Sequence, residues 1–319
     1  VIGGMLRVGL PSYRLPKDLL EKELDVFRKM GIEFVVNKRL GADMSIDDLR
    51  NMGYEAIYIS IGAHEDRKLN ISGEDAEGVL SGIGFLRKLN LGEDISFKGK
   101  KVAVIGGGNV AIDVARSAIR LEADKVMLFC LENKEEMPAH VWEVKDAEKE
   151  GVEINPSWGP KEIVIKDNKV VAMSLKKCVR VFDDEGRFNP SYDENIIKSV
   201  DVDYVIVSIG QSMEKIFNEK ETNKIELNGN FIKSRFGGYT NIPYVFAGGD
   251  CVTGPDSVVG AVNGGKLAAA SIDKYLGGDG QVIDKKKYKR ELSRPINEEK
   301  AERQQMDRLD IKACAKCFD

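Results

Sequence analysis

Short apolar runs that end on glycine alternate along this chain with longer stretches of amphipathic spacing. Residues 32–36, 56–61, 101–105, 125–130 and 203–209 carry strand-like apolar runs, and Gly62, Gly106 and Gly210 stand at or just beyond the ends of three of them. Over residues 17–30, Leu19, Leu20, Leu24, Val26 and Phe27 approximate helical spacing, with Gly31 as the stop. Residues 101–105 read as a buried strand, 106–108 as a turn, 109–121 as a helix and 125–130 as the next strand, which makes one complete βαβ unit. Two antiparallel hairpins are expected, one with 163–165 and 170–173 flanking Asp167-Asn168, the other with 225–227 and 231–232 flanking Asn228-Gly229. Residues 244–276 return to strand, glycine turn and a long Ala-rich helix. This alternation is that of an α/β protein with a largely parallel sheet.

Composition narrows the function classes. At 319 residues the chain is long enough for two domains with a core each. No apolar run approaches the roughly 18 to 20 residues of a membrane-spanning helix, so no membrane is expected and the expected location is the cytoplasm. A formal charge of -4 supplies no excess of positive charge with which to neutralise phosphates, which removes nucleic acid from the expected partners. Five cysteines are an odd number, and Cys130, Cys178 and Cys251 are isolated, which argues against a secreted disulfide scaffold. The chain opens on Val1-Ile2-Gly3-Gly4 with neither an initiator Met nor a basic segment ahead of an apolar one. No targeting peptide is expected, and the first residue reads as a boundary within a longer protein.

The strongest chemical signal is Gly106-Gly107-Gly108-Asn109-Val110-Ala111, a G-x-G-x-x-A fingerprint between a strand and a helix. Gly106 permits the tight turn, Gly108 leaves room for a pyrophosphate against the backbone, and Ala111 lets helix and strand pack closely. The pyrophosphate would meet the unpaired N–H groups and positive dipole end of the helix; the bland reading is a glycine turn that binds nothing. Glu132, at the end of the following strand, stands 26 positions after Gly106, somewhat beyond the usual spacing of about 20. It reads either as the acceptor for a ribose 2′-hydroxyl or as a solvated loop residue. Asp250, after Val245-Phe246-Ala247-Gly248-Gly249, reads either as a ligand of a cofactor hydroxyl or as a turn cap.

Other features say less. Cys314-Ala315-Lys316-Cys317 is a single C-x-x-C, read as half of an iron-sulfur site or as an incidental reduced pair. His64 and His140 are isolated, His140 being placed at a helix start beyond Pro138. No Ser-His-Asp, Cys-His or paired-carboxylate arrangement stands out, no metal ligand set is assigned, and no catalytic side chain is named.

Several ordered segments carry a family resemblance. They are Gly3-Gly4-Met5-Leu6-Arg7, Pro11-Ser12-Tyr13-Arg14-Leu15-Pro16, Ile61-Gly62-Ala63, residues 106–113, Glu135-Glu136-Met137-Pro138-Ala139, Ile209-Gly210-Gln211 and Phe246-Ala247-Gly248-Gly249-Asp250. Together they resemble the NAD(P)H-dependent glutamate synthase small (beta) subunit family, whose FAD/NAD(P) oxidoreductase module also occurs in dihydropyrimidine dehydrogenase and in electron-bifurcating flavoprotein complexes. The resemblance runs from the first residue to about residue 276.

The resemblance implies an α/β fold with two Rossmann-like dinucleotide-binding domains. The NAD(P)-binding domain, residues 100–235, is inserted into a discontinuous, partial FAD-binding-type domain of residues 1–99 and 236–280, and a charged tail with the C-x-x-C follows at 281–319. Hydride would pass from nicotinamide C4 to flavin N5, and electrons onward to iron-sulfur centres of an electron-transfer or synthase partner subunit. Such transfer between two bound cofactors asks for positioning more than for proton shuttling. Gly249 and Asp250 match the family's second flavin segment, in which the Asp holds a ribityl or pyrophosphate-side hydroxyl. Ser257 and Val258 begin the helix beneath the flavin, and Gly62 and Gly210, within their matching segments, are counted among the cofactor-binding residues.

Two departures change what is expected. The family's first glycine fingerprint, which cradles the ADP half of FAD, lies upstream of the segment matched by Gly3 to Arg7, so FAD is expected in the full-length parent and its site is incomplete here. Where many NADPH-using relatives carry two arginines, this chain has Leu131 and Glu132, which favours NAD over NADP. A non-catalytic nucleotide-binding or scaffold subunit that has lost flavin stays open as the alternative.

Overall fold

The computed structural model describes residues 1–214 and 224–282. The chain begins with α1 (Gly4–Val8), α2 (Lys17–Lys29) and α3 (Ile46–Asn51), then β1 (Ile57–Ile59), the two-residue β2 (Glu65–Asp66), β3 (Val79–Ser81) and α4 (Gly82–Asn90). The βαβ expected around the fingerprint is present as β4 (Lys101–Ile105), α5 (Asn109–Arg120) and β5 (Lys125–Phe129). After it come α6 (Val141–Lys149), β6 (Glu153–Asn155), β7 (Trp158–Lys166), β8 (Lys169–Phe182), β9 (Phe188–Asp201) and β10 (Tyr204–Val207). The last described elements are β11 (Gln211–Ser212), β12 (Leu227–Asn228), β13 (Phe231–Ile232), β14 (Val245–Ala247), α7 (Asp250–Thr253) and α8 (Val258–Tyr275).

Packing divides the described residues into two units. The first comprises Val1–Asn37 and His64–Gln211, the second Lys38–Ala63 with the described residues from Ser212 onward.

The first unit is built on a five-stranded sheet in the order β3-β10-β4-β5-β6, with every neighbouring pair parallel. Its central strands β4, β5 and β10 read as continuous apolar runs because both faces are covered. On one face Val102, Val104, Val126, Leu128 and Ile206 pack with Ile83, Phe85 and Leu86 of α4, Ile112, Val114 and Ala118 of α5, and Val144 of α6. On the other, the alternate residues Ala103, Ile105, Met127, Phe129, Val205 and Val207 pack with Ile163, Met173 and Leu175 of an antiparallel sheet, β7-β8-β9. The β7–β8 turn sits at Asp167 and Asn168, whose φ values of 52° and 59° are those of a type I′ hairpin.

In the second unit β1 and β14 pair in parallel, Ile57 opposite Val245 and Ile59 opposite Ala247. Their core includes Ile46, Ile225, Ile232, Ile242 and Cys251. Ser45 and Asp48 form a reciprocal capping box that starts α3.

Three expectations need correction or placement. Residues 32–36 form no strand: Ile32, Val35 and Val36 are exposed, and no strand pairs with them among the described residues, so an apolar run alone did not make a ladder. The second hairpin turns one position later than expected, because Asn228 pairs with Phe231 and so leaves Gly229 and Asn230 at its centre. Cys314 and Cys317, with nearly all of the charged tail, lie outside the described residues.

Candidate functional site

The order of the five-stranded sheet creates a crevice. From β4 the chain steps to β5 and then β6 on one side, and β10 returns to the other side of β4. Strand order therefore reverses beside β4, and ligands of open α/β sheets sit outside the carboxyl ends of strands at such a point. Gly106 follows β4, Glu132 follows β5 and Gly210 follows β10, so the parallel pairing brings all three to one edge.

Each residue of the turn has its own constraint. Gly106 has φ 142° and donates its N–H to the Phe129 carbonyl at 2.9 Å, and a Cβ there would collide with the Ser208 carbonyl oxygen. Gly107 accepts from the Ala139 N–H at 3.0 Å, and a Cβ on it would stand 2.8 Å from Glu132 Oε2 and 3.0 Å from Cys130 Cβ. Gly108 is the N-cap of α5 and faces open space, the room that an approaching pyrophosphate needs. Asn109 opens the helix and accepts the His140 N–H on Oδ1 at 2.9 Å. Val110 is partly buried against the core, and Ala111, fully buried, lies 3.4 Å from the Gly106 Cβ position. The first N–H groups of α5 have no intrahelical acceptor and point where an anion would lie. These residues fit a dinucleotide pyrophosphate.

Glu132 is half-buried at the adenosine side expected of such a fold. Its carbonyl accepts the Ser157 N–H at 2.8 Å and the Cys130 thiol at 3.6 Å, which fixes the loop after β5. Burial, and then the Glu132 carboxylate, push the Cys130 thiol up to about 12, so it stays protonated. Gly210 is exposed, with φ 114°, and its carbonyl accepts the Arg67 N–H at 3.1 Å. His140 is the N-cap residue of α6, and its ring stacks on Trp142 with centroids 4.2 Å apart.

The remaining candidates fall in the second unit, again at the carboxyl ends of paired parallel strands. Gly62 follows β1, and Gly249 and Asp250 follow β14. The Gly248 N–H bonds the Ile59 carbonyl at 3.1 Å, and Gly264 of α8 comes so close that a Cβ on it would stand 3.3 Å from the Gly249 nitrogen. Burial raises the Asp250 carboxyl above its ordinary value, opposed by a hydrogen bond from the Asp256 backbone N–H. Ser257 caps α8 by accepting the Gly260 N–H at 3.1 Å, and Val258 begins that helix exposed. The glycine turn after β14 thus packs against the first half of α8 with the Asp250 carboxylate beside it, an arrangement that can hold part of a second dinucleotide-type cofactor.

One cluster was not anticipated from the sequence. Tyr13 and Arg14 meet Asp113 of α5 and Glu143 of α6, with Arg116, Arg120 and Glu150 nearby. The available signal was the presence of Asp113 and Arg120 on the apolar, buried face of α5, where charges need partners.

Comparison with known proteins bears on the fold and the family. The chain is 40% identical over 282 residues to the NADP(+)-dependent formate dehydrogenase subunit beta of Moorella thermoacetica, a match covering 86% of this chain and 39% of that one. It is 33% identical over 295 residues to the glutamate synthase [NADPH] small chain of Escherichia coli (strain K12), covering 86% of this chain and 61% of the relative. Among solved structures, Mycobacterium tuberculosis FprA in complex with NADPH superposes with a TM-score of 0.69 at 18% identity, over 86% of this chain and 75% of FprA, which shows the fold to be the two-domain dinucleotide-binding α/β type. The chain thus spans well under half the length of the formate dehydrogenase subunit it matches. The family model for pyridine nucleotide-disulphide oxidoreductases matches residues 15–265, most of the chain, and this protein belongs to that family.

Proposed function

We propose that this chain is the NAD(P)H and flavin reductase module of a larger electron-transfer enzyme, taking hydride from a nicotinamide dinucleotide onto FAD and passing electrons to a partner subunit with iron-sulfur centres. The observation that carries it is the meeting of Gly106–Ala111, Glu132 and Gly210 at the carboxyl ends of adjacent parallel strands, in a chain of this family. Gly62, Gly249, Asp250, Ser257 and Val258 are assigned to the flavin. Residues 100–235 are assigned to the nicotinamide dinucleotide, and residues 1–99 and 236–280 to the flavin-type part.

Within this reading the chain's own groups bind and align. The α5 N-terminus and Gly108 hold the pyrophosphate, and Glu132 accepts from the adenosine ribose. FAD, when bound, supplies the hydride acceptor. The formate dehydrogenase and glutamate synthase relatives are named for NADP(+) or NADPH. Here Leu131 and Glu132 offer a 2′-phosphate no cation at that strand end, and NADH is the preferred donor.

The test is an anaerobic absorption spectrum of the purified full-length protein with added FAD. Flavin bands that bleach when NADH is added support the reductase. A colourless protein that binds NADH and takes up no flavin would instead indicate a nucleotide-binding subunit without redox activity.

A further inference from the structure

The dinucleotide turn is held by a pair of helices. At their N-terminal ends, α6 is tied to the turn of α5 by the bonds from Ala139 N–H to the Gly107 carbonyl, 3.0 Å, and from His140 N–H to Asn109 Oδ1, 2.9 Å. One turn farther along, Arg14 bridges the two helices, its Nη1 2.6 Å from Asp113 Oδ2 on α5 and its Nη2 2.7 Å from Glu143 Oε1 on α6. At the far end of α6, Arg116 and Arg120 of α5 meet Glu150 at 2.6 and 2.9 Å. Tyr13 lies between these groups, donating to Asp113 Oδ1 at 3.3 Å and setting its ring 4.7 and 4.2 Å from the Arg116 and Arg120 guanidinium carbons.

The two acids bridged by Arg14 have side chains only 6% and 7% exposed. Buried carboxylates of like charge, on helices that pack against each other, repel unless a cation stands between them. A planar guanidinium can serve both with separate nitrogens, which the single ammonium of lysine cannot do in the same geometry. Without Arg14 that repulsion acts on α5 and α6 one turn from Gly107 and Asn109.

We infer that Arg14 is a positioning residue for dinucleotide binding: by bridging Asp113 to Glu143 it sets the spacing of α5 and α6, and with it the alignment of the Gly107–Asn109 turn against Ala139 and His140. This rests on the reading of that turn as a nicotinamide dinucleotide site. It gives the Pro11–Pro16 segment, which lies far from the turn in sequence, a role in the affinity of a site it does not line.

The experiment measures NADH affinity by titration calorimetry, which needs no flavin turnover. It compares the wild type with Arg14→Met, Arg14→Lys and the neutral triple variant Arg14→Met, Asp113→Asn, Glu143→Gln. Leu175→Ala, buried on the opposite face of the sheet, serves as a control for lost stability alone. Arg14→Met should weaken NADH binding roughly tenfold through misplacement of the turn. Arg14→Lys should lie between it and the wild type, and the triple variant should recover most of the affinity because the repulsion is gone. Leu175→Ala should bind as the wild type does. Should Arg14→Met fail to fold, Arg14→Lys, which keeps the charge but cannot serve both acids with separate nitrogens, carries the same expectation at smaller size. Wild-type affinity in Arg14→Met would overturn the inference while leaving the dinucleotide reading intact. Equal weakening in Arg14→Met and Leu175→Ala would also overturn it, by reducing Arg14 to a structural staple. No NADH binding by the wild type would overturn both.

Discussion

Glu132 overhangs Gly107: its Oε2 stands 2.8 Å from the point a Cβ on that glycine would occupy, so the carboxylate lies against the backbone of the dinucleotide turn. A carboxylate so placed can accept charge-assisted hydrogen bonds from the adenosine ribose, whereas a 2′-phosphate in the same place meets like charge. A hydrogen bond to a charged group with a screened repulsion is together worth about 2 to 4 kcal/mol. NADH should therefore bind on the order of 30-fold more tightly than NADPH. Replacing Leu131 and Glu132 together by arginine should narrow or reverse the preference. Titration of both nucleotides at fixed salt checks this, and equal affinities in the wild type would mean that Glu132 does not read the ribose.

The two outer glycines of the turn should respond differently to one methyl group. Gly106→Ala sets a Cβ against the Ser208 carbonyl at a φ of 142° that side chains rarely adopt. A loss of about 2 to 3 kcal/mol in unfolding free energy is expected, along with NADH binding. Gly108→Ala meets nothing in the protein at an ordinary φ of -90°. It should cost under about 1 kcal/mol of stability, since only an N-cap preference is lost. Its methyl group occupies the room left for pyrophosphate, and affinity should fall nonetheless. Urea unfolding beside NADH titration separates the two effects; a Gly108→Ala variant that binds normally would place the pyrophosphate elsewhere.

The parts legible in the sequence are those where local pattern and burial agree. Residues 101–105 and 125–129 are covered on both faces, so their apolar runs mark them as parallel strands, and the fingerprint between them has a defined mechanical role. Asp167-Asn168 announced its hairpin because both residues tolerate the left-handed backbone. β9 escaped notice because a half-solvated strand containing Asp193, Glu194 and Asn195 has little apolar alternation to read. Residues 32–36 misled for the opposite reason, being apolar with no partner strand among the described residues. Arg14 gave no local sign of its role, since its two acids lie 99 and 129 positions away.

Asp250 offers a choice between ligand and cap. Its carboxylate already receives the Asp256 N–H, so part of its acceptor capacity is used within the turn. If the remaining capacity holds a flavin hydroxyl, Asp250→Ala in the full-length protein should weaken FAD retention by about 1 to 3 kcal/mol. The flavin-to-protein ratio after exhaustive dialysis measures this. Full retention would leave Asp250 as a cap for the Asp256 N–H alone.

Asp113 should also leave a signature in the pH dependence of stability. Burial drives its carboxyl up from the ordinary value of 3.8 to about 6, against the lowering influence of Arg14 and with Glu143 adding to the rise. Because the folded value lies above the unfolded one, the native state holds the proton more tightly. The contribution of Asp113 to stability is then greatest below about 3.8 and declines as pH rises to about 6, beyond which it is constant. The span of the window corresponds to about 3 kcal/mol. Other carboxylates titrate over the same range, but they are common to the wild type and Asp113→Asn and cancel in the difference between them. The stability of the wild type relative to Asp113→Asn should therefore increase as pH falls from 7 toward 4, with most of the change below pH 6. Urea midpoints for both proteins at half-unit intervals measure it. A difference that is flat with pH would show Arg14 just offsetting burial, with the folded value left at the ordinary one; one that shrinks on acidification would show Arg14 outweighing burial and the folded value lying below 3.8, the behaviour of a surface ion pair and not of a buried acid shared between two helices.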